Sequence, residues 1–271
     1  MSDALAFSFY HIFPYRKKLI LDNLSRAFPE KSEEEIRKIC KKFYSNLSDV
    51  LLESMKGFTL SEKQLRKRYV INPDRRLSDY FKVGTSVIGV TAHLTNWEWG
   101  AMALGLQVDH RILGVYKKIS HPQINKYMIG NRSRFNTDLA EMKEVSDMVK
   151  SYNPEKPFAL VLIADQRPSD PRKAFWTHFL GRETAFFYGA EKFAMELELP
   201  VMFLNIKRKK RGHYEVDLEW ISEGRKEPGQ GDIITAYSRI LEREVRARPE
   251  VWLWSHSRWK HPRPEDVPIQ D

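Results

Sequence analysis

At 271 residues the chain is long enough to bury a substantial core, which excludes a miniprotein held together by staples. Apolar residues at 42% and charged residues at 30% exclude a disordered chain, and the single cysteine, Cys40, excludes an intrachain disulfide or a cysteine-based zinc cluster and suits a reducing compartment. A net charge of +9 favours anionic partners: nucleic acid, lipid headgroups or an acidic protein.

The first apolar run, Ala4 to Phe13, breaks at Pro14, well short of the roughly 20 residues that span a bilayer. Its basic residues, Arg16-Lys17-Lys18, follow the run rather than precede it, which is the wrong order for a signal peptide. Aromatic residues followed by a basic triplet suit a segment lying on a lipid surface, and a packed N-terminal arm fits equally well. From Tyr15 to about Arg76 the pattern is helical throughout, and Pro29 stops the first helix. Ser32 and Glu35 spell a capping box, after which Ile36, Ile39, Cys40, Phe43, Leu47 and Val50 recur at spacings of three and four. Leu24, Phe28, Leu51 and Leu52 extend that apolar face.

From Ser86 the texture changes to short apolar runs separated by helical periodicity, the alternation of an α/β sheet. Strands are expected at Ser86–Thr91, Arg111–Tyr116, Phe158–Ala164, Val201–Ile206 and Tyr214–Trp220, with the run from Phe158 to Ile163, apolar on both faces, at the centre. Helices are expected near Trp97–Leu106, Pro122–Arg134, Met142–Tyr152, Phe187–Leu197 and Ile233–Ala247. The basic run Lys207–Gly212 reads as a solvated hairpin tip. These elements give an α/β fold with a central, mostly parallel sheet flanked by helices and an N-terminal helical layer. The expected organisation is one domain, with a helical region at 1–80, an α/β catalytic core at 81–261 and a tail at 262–271.

Chemistry concentrates where the first strand ends. His93 follows Val87–Ala92, a short polar turn carries Thr95 and Asn96, and a helix opens with Trp97-Glu98. In a continuous helix, positions five apart point about 140° away from each other. His93 and Glu98 therefore meet only if the histidine lies on the loop and the glutamate on the first helical turn, at the strand end where open α/β sheets place ligands. A carboxylate against a histidine orients the ring and stabilises the imidazolium that forms when it takes a proton. Thr95-x-x-Glu98 also spells a capping box, so helix termination accounts for the same residues.

His93-x-x-Asn96-Trp97-Glu98 resembles the histidine-x4-acid motif of lysophospholipid-type acyltransferases, in the glutamate form that marks the lipid A late acyltransferases of Gram-negative bacteria. Further blocks follow in register: Tyr15-Arg16-Lys17, Ala27-Phe28-Pro29-Glu30, Val115-Tyr116-Lys117, Arg132-Ser133-Arg134-Phe135, Asp165-Gln166, Phe179-x-Gly181 before Thr184, and Trp252 through Lys260. The chain departs from that family in having Thr91-Ala92 where many members place a glycine beside the histidine. It also has a short aromatic stub where members usually carry a membrane-spanning segment.

The resemblance implies transfer of a fatty acyl group to a hydroxyl of a lipid A precursor or related membrane lipid. The donor would be an acyl carrier protein thioester, an acidic partner suited to the +9 surface, or an acyl coenzyme A, with no metal or other cofactor. It implies His93 as general base with Glu98 as its partner, and a substrate-binding set of Asn96, Arg132, Arg134, Asp165, Gln166 and Thr184. The segment Arg182-Glu183-Thr184 reads as the opening of the helix near Phe187. The implied location is the cytoplasmic face of the bacterial inner membrane, held peripherally on its anionic surface. Competing readings change the acceptor to a glycerophospholipid or an aminoacyl lipid, or make the chain a non-catalytic binder of anionic lipid or nucleic acid. No glycine-rich dinucleotide loop, RNA-binding aromatic motif or zinc spacing supports a nucleic-acid role.

Overall fold

The computed structural model describes residues 1–152, 156–224, 229 and 231–270, so the final residue of the expected tail lies outside it. The N-terminal layer begins with α1 (Ser2–Phe7), which runs into a wide helical turn at Ser8–Ile12, then α2 (Lys17–Ala27) and the long α3 (Glu33–Gly57). The capping box forms as the sequence predicts: Glu35 N–H donates to Ser32 Oγ at 3.3 Å and Ser32 N–H donates to the Glu35 carboxylate at 2.8 Å. Ile36, Cys40, Phe43, Leu47 and Val50 are buried on one face of α3, whereas Leu51 turns outward. Next come α4 (Glu62–Arg68), the three-residue β1 (Tyr69–Ile71) and α5 (Arg75–Lys82). β1 corrects the expectation of helices alone up to Arg76. It is too short for a period-two pattern to stand out in the sequence, and it forms because a partner strand is available to it.

The α/β part then unfolds as β2 (Val87–Thr91), α6 (Glu98–Gln107), β3 (Arg111–Tyr116), α7 (Pro122–Arg132), β4 (Thr137–Glu141), α8 (Val145–Ser151) and β5 (Phe158–Ile163). A two-stranded antiparallel hairpin, β6 (Phe175–Phe179) and β7 (Arg182–Phe186), interrupts it. The chain continues through α9 (Gly189–Leu197), β8 (Val201–Lys210), β9 (His213–Ser222) and α10 (Asp232–Ala247) to a tight 3-10 turn at Pro249–Val251.

Seven strands form one sheet in the order β1-β9-β8-β2-β5-β3-β4, parallel at every pairing except β8 with β9. β2 and β5 lie side by side at the centre, and their apolar residues alternate between two cores as the strand period requires. Ile88, Val90 and Leu160 face one cluster with α2, α3, α9 and α10, while Val87 and Ala159 face another with α4 and α6.

The predicted hairpin tip at Lys207–Gly212 is mostly strand, since β8 runs to Lys210 and only Arg211 and Gly212 turn. Cross-strand ion pairs explain the extension: Lys207 Nζ lies 2.6 Å from Asp217 and Lys209 Nζ lies 3.0 Å from Glu215. The reading of Arg182–Thr184 as a helix opening is also corrected. Those residues are the first half of β7, and α9 starts at Gly189.

Candidate active site

The register of the two central strands builds the site. Thr91 pairs with Ile163, and the ladder continues one step as Ala164 N–H donates to Thr91 O at 3.0 Å. His93 and Asp165 therefore leave adjacent parallel strands at the same level, on the carboxyl edge of the sheet. The contact is close. His93 Nδ1 lies 2.7 Å from Asp165 Oδ1, and His93 backbone N–H donates to Asp165 Oδ2 at 3.0 Å. Trp252 Nε1–H donates to the same Oδ2 at 2.8 Å.

Burial by itself would raise the Asp165 carboxyl, but the neighbouring His93 ring and its hydrogen bonds, with that of Trp252, hold it below the usual carboxylate range. An ionised Asp165 only accepts, so the proton on His93 sits at Nδ1 and Nε2 carries the lone pair. The Gln166 amide faces that nitrogen at 3.2 Å and donates to it. The His93 side chain is 15% exposed.

A loop without glycine holds the histidine. Leu94 N–H folds back to Ala92 O at 2.7 Å, and Thr95 takes a left-handed φ of 47° while its N–H donates to Val251 O at 3.1 Å. Leu94 also bridges to Trp252, so the C-terminal segment clamps the loop from outside. The capping box read from Thr95 and Glu98 does not form, because the Thr95 hydroxyl has no hydrogen-bond partner among the described residues. Asn96 does the capping: its Oδ1 accepts from Trp99 N–H at 3.1 Å, and its Nδ2 donates to Glu53 Oε2 at 2.7 Å. Tyr214 OH donates to the same Glu53 oxygen at 2.6 Å. Asn96 is fully buried with both ends of its amide occupied, so it anchors the loop rather than facing a ligand.

The expected hydrogen bond between His93 and Glu98 is not made. Glu98 receives the Arg132 guanidinium, with Nη2 2.8 Å from both carboxylate oxygens and Nε at 3.1 Å, and accepts from Trp97 Nε1–H at 3.2 Å. Trp97 links the two groups, its ring set edge-on to His93 at a centroid distance of 5.0 Å. The helix turn carries Glu98 away from the ring, and a carboxylate from the neighbouring strand takes the place it was expected to fill.

Among the other expected ligands, Arg134 turns away to the end of α3, donating to Gly57 O at 2.9 Å and to Leu60 O at 2.6 Å. Thr184 is buried in β7, its hydroxyl donating to Arg182 O at 2.9 Å and accepting from Trp259 Nε1–H at 2.7 Å. The structure thus gathers His93, Asp165 and Gln166 in direct contact and Glu98 with Arg132 beside them, and it places Asn96, Arg134 and Thr184 in supporting roles. Glu53 on α3, and Trp252, which lies in the last of the family-like blocks but was given no site role, complete the frame. Among the described residues no group of three or more His, Cys, Asp or Glu side chains is arranged to hold a metal ion.

A histidine oriented by a carboxylate at the carboxyl edge of an α/β sheet has the geometry with which a ring nitrogen can accept a proton. Residues 1–261 match the family described as bacterial lipid A biosynthesis acyltransferase, and the chain belongs to that family of acyltransferases. It is 23% identical over 255 residues to the lipid A biosynthesis lauroyltransferase of Escherichia coli K12, covering 93% of this chain and 81% of that protein. It is 21% identical over 267 residues to a lipid A biosynthesis acyltransferase of Haemophilus influenzae, covering 97% and 83% respectively.

Proposed function

We propose that the protein moves a fatty acyl group from an acyl carrier protein thioester to a hydroxyl of a lipid A precursor or related membrane lipid, with His93 as the general base. The observation that carries this reading is the His93–Asp165 contact at 2.7 Å, at the ends of adjacent strands, in a chain of this acyltransferase family. The acceptor hydroxyl replaces the Gln166 amide at His93 Nε2 and gives up its proton as its oxygen attacks the thioester carbonyl. Asp165 stabilises the imidazolium, and the displaced Gln166 amide becomes a donor for the tetrahedral oxyanion. Collapse of that intermediate expels the thiolate, which takes the proton back from His93. The Glu98–Arg132 pair holds the outer wall of the site through Trp97.

A net charge of +9 suits an acidic carrier protein and an anionic membrane face. No helix of the described residues is long and apolar enough to cross a membrane. The N-terminal segment is packed against α3 on one side and exposed on the other. Tyr10 packs against Tyr44 at a centroid distance of 5.7 Å, while Phe7 and Phe13 stand 57% and 72% exposed in the segment that runs into Arg16, Lys17 and Lys18. The exposed aromatic and basic residues and the family's lipid A chemistry support a location on the cytoplasmic face of the bacterial inner membrane, in contact with its anionic surface.

Incubating the chain with a labelled acyl-carrier thioester and total envelope lipid, with mass spectrometry of the product, tests the reaction and identifies the acceptor. Transfer to a lipid A precursor that falls about 10²–10⁴-fold in His93→Ala is the expected result. A folded His93→Ala that retains wild-type transfer overturns the assignment.

A further inference from the structure

Large apolar side chains gather outside the core where two helices end side by side. On the last turns of α3 and at its C-cap, Leu51, Met55 and Phe58 recur at spacings of four and three, and all are exposed, Met55 at 69%. On α7, Ile124 and Tyr127 are exposed too, Tyr127 at 70%. The two helix ends touch. Arg134, just past α7, donates to Gly57 O at 2.9 Å and to Leu60 O at 2.6 Å, and a Cβ added at Gly57 would lie 3.4 Å from Asn131 Nδ2. Tyr127 and Asn131 stand one turn apart on the same side of α7, so the exposed tyrosine borders the end of α3. Single exposed apolar residues are ordinary, but a group of them at one junction forms a patch of the kind that marks an interaction surface.

The chain around the patch is free of acidic residues. No Asp or Glu occurs at 54–61 or at 110–137, while Lys56, Lys117 and Lys126 are exposed there. Carboxylates of the adjoining segments are already taken: Glu62 by Arg66 at 2.9 Å, Glu98 by Arg132 at 2.8 Å, and Glu141 by Lys118 at 3.7 Å and Lys143 at 3.5 Å. An apolar centre with lysines at its rim is the composition of a surface that lies in a lipid headgroup layer, where the lysine stems reach back toward phosphates. Met55 and Tyr127, an adaptable chain and a ring with a polar tip, settle in such a fluid layer without a fitted partner face.

Two further observations place the patch. Arg132 lies five residues beyond Tyr127 on α7, about 7.5 Å along the axis, and it holds Glu98 beside Trp97 and His93. The N-terminal segment, itself bearing exposed aromatic residues, packs along the same α3, with Tyr10 on Tyr44 and Ser2 Oγ donating to Asp49. We propose that the junction of α3 and α7 is a second lipid contact, which seats the outer wall of the site on the anionic membrane surface from which the acceptor enters. The identity of the acceptor rests on the acyl-transfer reading; the contact itself does not.

Cys40 is buried, so a thiol-directed dye reports only from an introduced cysteine. Full-length Met55→Cys and Tyr127→Cys, each labelled with an environment-sensitive nitrobenzoxadiazole, are mixed with vesicles of phosphatidylethanolamine and phosphatidylglycerol. Emission should rise severalfold and shift to the blue at both positions. It should stay unchanged in Val83→Cys, equally exposed but at the end of α5, on the amino edge of the sheet. Met55→Ser with Tyr127→Ser should weaken vesicle binding about tenfold, because two large apolar groups no longer leave water, and should keep the wild-type Tm.

No change at positions 55 and 127 in protein that sediments with the vesicles, no vesicle binding at all, an equal change at position 83, or a change produced by an acidic carrier protein in place of the vesicles overturns the proposal. The dye reads binding without turnover, and His93→Ala carrying the same labels should respond like the wild type. An inactive enzyme with a lipid-seated patch and an active one without it are therefore told apart.

Discussion

The identity of the carboxylate behind His93 decides how the site works. If Asp165 fixes the tautomer, Asp165→Asn presents an amide whose N–H₂ can face Nδ1, moving the ring proton to Nε2 and removing the base. The expected outcome is a loss of about 10²–10⁴-fold in kcat with little change in fold, measured by single-turnover acyl transfer and circular dichroism. Glu98 should behave differently, because its partner is Arg132. Glu98→Gln and Arg132→Gln should each impair the enzyme, and the double variant should be little worse than either. A double-mutant cycle on stability should give a coupling of about 0.5–3 kcal/mol. The five-residue spacing in the sequence pointed to a local pair, and the structure replaced it with one spanning 72 residues. Such a contact depends on the register of two parallel strands, which a single sequence does not display. His256 adds a pH dependence. Burial first, and then Arg258, lower its pKa from its ordinary 6.5 to about 4, with Arg167 and His93 acting in the same sense and Asp165 opposing. Between those values the unfolded chain binds the proton and the folded chain does not, so stability falls as pH drops from about 6.5 toward 4 and then levels. The slope should shrink in His256→Gln, followed by urea denaturation at several pH values.

The elements the sequence announced were those whose pattern serves a core. β2, β3, β5 and β8 carry apolar runs because both faces of the sheet are covered, and α3 shows its stripe because one face is buried. β4 escaped because it is an edge strand, Thr137-Asp138-Leu139-Ala140-Glu141, whose Asp138 pairs with Arg111 at 2.7 Å instead of packing. β6 and β7 escaped because they form a hairpin outside the main sheet, where apolar and polar residues mix. Packing between elements also sets limits that no pattern reveals. Gly105 in α6 lies so close to the segment before β4 that an added Cβ would sit 1.8 Å from Phe135 O. Gly105→Ala should therefore destabilise strongly, by roughly 3 kcal/mol or more, since backbone rather than a flexible side chain must move. Thermal unfolding of the variant beside Gly130→Ala, whose added Cβ meets nothing within 4 Å, checks this.

At the scale of the whole molecule, the exposed aromatic residues of the N-terminal segment and the excess of basic residues make a salt-sensitive membrane contact the expected behaviour. Sedimentation with anionic vesicles should show binding that weakens as salt rises, at about 1 kcal/mol for each basic residue near the surface. Phe7→Ser with Phe13→Ser should weaken the binding at every salt concentration, while neutral vesicles should retain little protein at low salt. The architecture also dictates the order in which the molecule can be completed during its synthesis. Asn23 Nδ2 donates to Trp254 O at 3.0 Å, Arg16 donates to Ser255 O at 2.9 Å, and Leu94 is bridged by Trp252. The first helices and the histidine loop thus share the turns at 249–256 as their common support. A ribosome must deliver residues 249–256 before either can settle, so a nascent chain lacking them carries an open groove along α2 and α3 and an unclamped histidine loop. Chaperone contact and proteolytic sensitivity should therefore persist until the end of translation, and activity should arrive with the final stretch rather than accumulate along the way.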